Sequence, residues 1–326
     1  MRTEKEMFHI IINTAKSDER ILAAYLKGSR ANPNVPRDIY QDYDIMYVVT
    51  ETESFRRDLS WIDTFGKVIL KQEQNDDFGY GERFGLRSCY DNTYSWLLLF
   101  EDGNRIDIGV ETVETMQNGT NRNKLFLPLL DKAGYLPKLP PPTDEEFYVK
   151  RPSAAKFRGC CNEFYWSLCD VVKGILRDEL PFAMSVYYMQ THQMLEIMLE
   201  WYIGSETSYS VSCGKMNKYF KRYLSEDVYQ LYLQTFPDSN YEHFKQSIEN
   251  SCKLFHETGM MTAENLGLIY PIEYEDGFIK YVEIFGSSIA KKIINQKPGG
   301  EINDEKSTCN WRNRICKQIY CRVLFF

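Results

Sequence analysis

The stretch Lys27-Gly28-Ser29-Arg30, followed beyond a loop by Asp42-Tyr43-Asp44-Ile45-Met46-Tyr47-Val48-Val49, decides the fold of this chain. The second run is mostly aliphatic and aromatic, and that composition predicts a strand. Because side chains at i and i+2 of a strand point the same way, we expect Asp42 and Asp44 to project side by side. Two adjacent carboxylates repel each other, and proteins tolerate them mainly where a divalent cation lies between them.

The residues upstream of this strand suit a phosphate group. Gly28 lets a ligand approach the backbone N–H groups closely, and Ser29 adds a hydroxyl donor. Mg²⁺ commonly takes one or two carboxylates together with phosphate oxygens. The whole stretch therefore predicts a site for a metal ion with a nucleotide.

A third carboxylate lies on a later predicted strand. Residues 95–100 and 105–110 flank Glu101-Asp102-Gly103-Asn104, whose Asp-Gly pair is typical of a hairpin turn. In the second arm the alternate aliphatic residues share one face, which places Asp107 on the other. An acidic residue within a short apolar strand is costly unless it is paired or bound to a metal, so Asp107 is expected to join the same site.

Gly-Ser, then Asp-x-Asp, then a lone Asp on a later strand resembles the polymerase-β-like nucleotidyltransferases. Within that superfamily the chain resembles the aminoglycoside 6-adenylyltransferases, also called streptomycin adenylyltransferases, over most of residues 1–285. The Cys-Cys-Asn-Glu-Phe block is the most specific match, and nothing beyond about Ser287 corresponds to the family. The matching blocks are Gly28–Pro36, Gln41–Ile45, Asp102–Asp107, Arg151–Ser153, Cys160–Phe164, Val172–Gly174, Gly214–Lys215 and Arg222–Tyr223.

The resemblance implies Mg²⁺-dependent transfer of AMP from ATP to a hydroxyl of a cationic aminoglycoside such as streptomycin. Pyrophosphate would be released, and the modification would confer antibiotic resistance. Asp107 is implied to serve the metal nearest the attacking hydroxyl and is also a candidate base. Gly28, Ser29 and Arg30 are expected at the phosphates, although Arg30 could instead pair with a neighbouring Asp. The implied metal ligands are Asp42, Asp44 and Asp107.

Two residues of the predicted second domain could complete this site. Lys173 could reach the triphosphate as a point charge, although without the resemblance a solvated helix lysine is the simpler interpretation. Glu163 lies ten residues earlier, nearly three helical turns, so it could line the same cleft. It is a candidate for binding the cationic acceptor or for the general base, and a buried ion pair is the alternative.

Composition limits the class of protein. The 326 residues are 43% apolar and 26% charged, which is ordinary for a globular chain with room for two domains. Neither a signal peptide nor a membrane span is predicted, and nine cysteines without a paired framework indicate a reducing cytoplasm. We expect buried thiols rather than a zinc site, because the sequence contains no Cys-x-x-Cys spacing.

The charge distribution disfavours nucleic acid as a partner. The net charge is −7, and residues 291–326 carry +5, so the rest of the chain carries −12. An acidic body suits a cationic small substrate better than a polyanion, which weakens the alternative of an enzyme acting on RNA or protein. A second alternative is an inactive nucleotide-binding regulator, against which the intact Gly-Ser and three carboxylates argue.

The predicted fold class is α+β, with an N-terminal mixed β-sheet and helices followed by a C-terminal α-helical bundle. The predicted segments are a catalytic domain at 1–136, a Pro-rich linker at 137–150, a helical substrate-binding domain at 151–290 and a dispensable basic tail at 291–326. In the first domain the predicted strands are 43–50, 66–71, 95–100 and 105–110, and the predicted helical segments are 3–26, 54–62 and 111–131. In the second domain the predicted helices are 153–179, 181–203, 215–224, 226–236, 241–268 and 274–289.

Overall fold

The computed structural model describes residues 1–73, 90–120 and 124–296. It contains a mixed sheet with helices in the N-terminal half and helices in the C-terminal half, which confirms the predicted α+β class. The chain divides into two compact units, Met1–Glu146 and a second unit from Phe147 onward. The predicted linker at 137–150 spans this division. Residues 297–326 of the predicted tail lie outside the described residues, so its dispensability stays a prediction.

The first unit is built on a sheet whose described strands are six in number. Their order is β3-β4-β5-β2-β1-β6, in which β2 and β5 run parallel and the other neighbours antiparallel. The strands are β1 (Ile21–Lys27), β2 (Tyr43–Val49), β3 (Val68–Glu73), β4 (Thr93–Phe100), β5 (Arg105–Thr112) and β6 (Leu127–Asp131). The α-helices are α1 (Glu4–Ser17), α2 (Glu53–Arg57) and α3 (Val113–Thr120), and 3₁₀ turns cover Gly28–Ala31 and Ser60–Phe65.

The two faces of this sheet are covered unequally. One face carries the alternate residues Ile45, Tyr47 and Val49 of β2, and α1 buries its apolar stripe against them. The Tyr47 hydroxyl donates to the Ile11 carbonyl of α1 at 2.6 Å, which satisfies its one buried polar group. The opposite face holds a smaller cluster around Val48, which ends before the start of β2. That end of the second face is therefore where polar side chains can reach solvent.

Two first-unit predictions are wrong. Residues 21–26 were expected to continue the first helix, but they form β1 between β2 and β6. A continuous apolar run that is buried on both faces gives no periodicity to separate strand from helix. Residues 111–131 were expected as one helix, but α3 ends at Thr120 and β6 begins at Leu127. Gly134 lies in a turn in which the Asp131 carboxylate accepts backbone N–H groups, and it does not end a helix.

The second unit is helical, as predicted. Ser153 caps α4 by accepting from the Lys156 backbone, and Asn240 caps α9 in the same way. Gly267 ends α9 in the left-handed conformation, with φ +65°. A π-helical segment, Tyr187–Thr191, joins α5 to α6, so the predicted helix at 181–203 is nearly continuous. The helices are α4 (Ala154–Leu176), α5 (Leu180–Val186), α6 (His192–Glu206), α7 (Phe220–Tyr223), α8 (Glu226–Leu233), α9 (Tyr241–Leu266) and α10 (Ile272–Gln296).

The Cys-Cys-Asn-Glu-Phe block lies on α4 and divides between core and surface. Cys160, Cys161 and Phe164 are buried, and the Phe164 ring stacks on Phe255 of α9 with 3.9 Å between ring centroids. The described cysteines are free thiols, and burial raises the pKa of Cys161 to about 12. This confirms the expectation of buried thiols for Cys160 and Cys161, whereas Cys169 on the same helix is partly exposed. Among the described residues, no helix is both long enough and apolar enough to cross a bilayer.

Replacing Phe164 by Ala should destabilise the protein by about 3–5 kcal/mol, because the change removes a fully buried ring and leaves a cavity. Urea denaturation of the full chain, followed by circular dichroism, measures this free energy of unfolding. Trp166→Ala is the matched control on the same helix, since Trp166 is 69% exposed and should cost roughly 0.5 kcal/mol or less. Equal destabilisation by both changes would contradict the assignment of Phe164 to the core.

Candidate active site

The site begins at the turn that follows β1. Gly28 opens the turn with φ +68°, a conformation that residues with a side chain rarely adopt. A Cβ atom at this position would overlap the Asp44 carboxylate, so only glycine lets the turn lie against β2. Ser29 follows on the same turn and is partly exposed. The Gly28 backbone therefore lies directly against the Asp44 carboxylate, and its expected role at the phosphates stays a prediction.

The parallel pairing of β2 with β5 brings the carboxylates together. Asp44 stands opposite Asp107 in the register, and Asp42 precedes Asp44 by two residues on the same face. Ile106 and Ile108 point into the core on the other side, as the alternation predicted. Three carboxylates thus share one face at the end of the sheet that the smaller cluster leaves open.

Burial and the closeness of the three carboxylates to one another raise the pKa values of two of them. Burial, together with the charges of Asp107 and Asp42, raises the pKa of Asp44 to about 6. The pKa of Asp42 is also raised, first by burial and, against the opposing effect of Arg105, by the charge of Asp107. Lys27 lies opposite Asp44 in the β1–β2 register and opposes the rise at Asp44. A cation between these carboxylates would relieve the repulsion.

Arg105 balances part of this charge, and the sequence interpretation missed it. Its Nε and Nη2 atoms donate to the two oxygens of Asp107, at 2.8 and 2.9 Å. The Nε atom also lies 3.6 Å from Asp42 Oδ2. The signal was available, because Arg105 precedes Asp107 by two residues and so shares its face of β5.

Arg30 does not pair with the side chain of Asp42 or Asp44, and its expected role at the phosphates stays a prediction. Its side chain is buried, and its three nitrogens donate to the Asp42 carbonyl, the Gln41 carbonyl and the Glu4 carboxylate. The guanidinium also lies 3.9 Å from the centre of the Tyr43 ring. The Arg30 side chain therefore holds the loop before β2 by bonding to the backbone carbonyls of that loop.

The donor set fits a magnesium ion by its chemistry. Carboxylate oxygens are the ligands that Mg²⁺ prefers, and the raised pKa of Asp44 reflects a repulsion that such a cation removes. Among the side chains that the structure describes, no three His, Cys, Asp or Glu groups already stand in the geometry of a metal site. Both oxygens of Asp107 accept hydrogen bonds from the Arg105 guanidinium.

The two site residues predicted on α4 belong to the second unit. Glu163 is exposed, so the alternative of a buried ion pair is wrong. Lys173 is partly exposed and pairs with Asp170 one turn earlier on the same helix. Their predicted roles toward acceptor and phosphate stay predictions.

Comparison with known proteins identifies the family. The family model described as streptomycin adenylyltransferase matches residues 1–285. An aminoglycoside 6-adenylyltransferase of Bacillus subtilis (strain 168) is 36% identical over 87% of this chain and 98% of its own length. A relative of the same name from Campylobacter jejuni is 34% identical over 86% of this chain and 95% of its own. A crystal structure of an aminoglycoside 6-adenyltransferase from Bacillus subtilis aligns with 32% identity, 87% coverage of this chain, 98% coverage of its own and a TM-score of 0.42.

The family model and the two sequence relatives each extend over most of the chain and bear the same kind of name. The resemblance inferred from the Gly-Ser turn, the Asp-x-Asp strand and the Cys-Cys-Asn-Glu-Phe block is thereby confirmed. The chain belongs to the streptomycin adenylyltransferase family and is a nucleotidyltransferase.

Proposed function

We propose that this chain transfers AMP from ATP to a hydroxyl of a cationic aminoglycoside such as streptomycin, with release of pyrophosphate and resistance as the consequence. The observation that carries the proposal is that Asp44 and Asp107 are opposite each other in the β2–β5 register. Asp42 lies on the same face, and the Gly28 turn lies against Asp44. The names of the sequence relatives support the acceptor class.

In this proposal Asp42 and Asp44 would hold the Mg²⁺ that accompanies the triphosphate, and Asp107 would supply a further carboxylate ligand. Bound Mg²⁺ supplies charge neutralisation and alignment of the attacking and leaving oxygens. Gly28 and Ser29 face the terminal phosphates with backbone N–H groups and a hydroxyl, which suit an anion. The chain's contribution is therefore to orient the phosphates and to stabilise charge as it develops.

The proton of the acceptor hydroxyl needs a carboxylate, and two are candidates. Asp107 lies within the carboxylate group, where Arg105 holds its oxygens. Glu163 is exposed on α4 and free of a buried ion pair, so it could bind a cationic acceptor or accept the proton. Lys173 is paired with Asp170 but has three N–H donors and is partly exposed, so it could also bind a phosphate.

The wider features of the chain agree with this function. Residues 1–136 act as the nucleotidyltransferase domain and residues 151–290 as the substrate-binding domain, joined by the Pro-rich linker. The charge of −12 outside the tail attracts a cationic antibiotic and disfavours RNA. Dependence on ATP and the free thiols of the helical unit suit a cytoplasmic enzyme.

The direct test incubates the full chain with ATP, Mg²⁺ and streptomycin and follows the antibiotic by mass spectrometry. We expect a gain of one adenylyl group with an equal amount of pyrophosphate. Chelation by EDTA should stop the transfer and excess Mg²⁺ should restore it, because the carboxylates alone provide no positive charge for the phosphates. Transfer to RNA or to protein with none to any aminoglycoside would contradict the proposed acceptor.

Gly28→Ala should lower kcat by about 10²-fold or more, because the new Cβ displaces the Asp44 carboxylate and misplacement of about 1 Å has such effects. Gly134→Ala is the matched control: Gly134 also has positive φ, +77°, but nothing lies within 4 Å of its Cβ position. Both variants should lose about 1–2 kcal/mol of stability from the left-handed backbone conformation, and only Gly28→Ala should lose activity. Steady-state kinetics with thermal melts measure both quantities, and similar kcat values would refute the role given to Gly28.

A further inference from the structure

Arg105 stands where a cation at Asp107 would have to bind. Both Asp107 oxygens accept from its guanidinium, in a two-point ion pair with distances of 2.8 and 2.9 Å. Asp107 is only 21% exposed, so little of its carboxylate faces solvent outside this pair. A divalent cation and the guanidinium therefore compete for the same lone pairs.

Asp42, just before β2, and Asp44, within it, are held less tightly. Arg105 reaches Asp42 only at 3.6 Å and through the Nε atom that already serves Asp107. Arg105 acts on Asp44 only through its charge, and burial destabilises the ionised form of the Asp44 carboxylate. The competition is thus concentrated at Asp107, while Asp42 and Asp44 stay available to a metal that arrives with the nucleotide.

The pair is also built to open. Arg105 lies at the first position of β5 next to the hairpin, and 43% of its side chain is exposed. Both partners lie on β5, so opening the Arg105–Asp107 pair breaks no hydrogen bond between strands. Arg2 provides a contrast, since its guanidinium bonds both Asp102 and the Phe65 carbonyl and ties the N-terminus to the hairpin.

We propose that Arg105 is a positioning residue that neutralises Asp107 in the metal-free protein and must leave that carboxylate before a divalent cation can bind there. Binding at Asp107 is consequently the second and weaker event, after a cation has bound at Asp42 and Asp44. This inference rests on the proposed metal-dependent function, but it makes a separate statement about cation affinity.

The test measures binding of Mn²⁺ to the full chain without nucleotide, by electron paramagnetic resonance titration. Arg105→Met keeps the bulk of the side chain and removes its charge and donors. We expect Mn²⁺ to bind this variant about tenfold more tightly or better, because a unit positive charge close to a divalent cation is removed. Lys67→Met is the charge-matched control: Lys67 is exposed, pairs with Glu101 away from the site, and should leave Mn²⁺ affinity unchanged.

The double variant Arg105→Met with Asp107→Asn assigns the effect to the carboxylate. If Arg105 competes at Asp107, removing Asp107 should abolish the gain in affinity. Unchanged or weaker Mn²⁺ binding in folded Arg105→Met would overturn the inference, as would a gain that survives in the double variant. These outcomes leave the proposed function intact if the wild type still binds Mn²⁺ with ATP. Absence of Mn²⁺ binding in every protein, with ATP present, would refute both.

Discussion

The parallel pairing of β2 with β5 is the constraint on which the site depends. In the described sheet the other neighbouring strands run antiparallel, and this one pairing sets Asp44 against Asp107. A slip of one residue would turn Asp107 toward the core and expose Ile106 and Ile108, which are fully buried. The hydrophobic face of β5 therefore fixes the position of the carboxylates, so that the packing of the core and the geometry of the candidate site depend on one register.

This register imposes an electrostatic cost that the chain offsets locally. Burial is the main cause that raises the pKa of Asp44 to about 6, and the nearby charges of Asp107 and Asp42 add to the rise. Arg105 on β5 and Lys27 on β1 provide positive charge near the carboxylates. Arg30 holds the loop before β2 by donating to its backbone carbonyls. Proteins keep such unfavourable arrangements at functional sites, where a ligand supplies the missing charge.

The sequence predicts the features that depend on neighbouring residues and misses those that depend on pairing between distant segments. The shared face of Asp42 and Asp44 and the place of Asp107 were predictable, because strand alternation and the Asp-Gly turn are local signals. β1 was not, since its apolar run is buried on both faces and only pairing with β2 and β6 decides its structure. The ion pair of Arg105 was accessible to the same alternation rule, but the sequence analysis considered Asp107 only as a metal ligand and a candidate base and named no ion-pair partner for it.

The central claim is that the carboxylates paired by β2 and β5 stabilise the transition state through a metal ion. The measurement that tests it most directly is kcat for AMP transfer by Asp44→Asn with saturating Mg²⁺, ATP and streptomycin. The substitution keeps the shape of the side chain and removes its charge, so the fold should persist. A loss of several kcal/mol, on the order of 10³-fold in kcat, is the predicted result. A folded Asp44→Asn protein with kcat near that of the wild type would contradict the account.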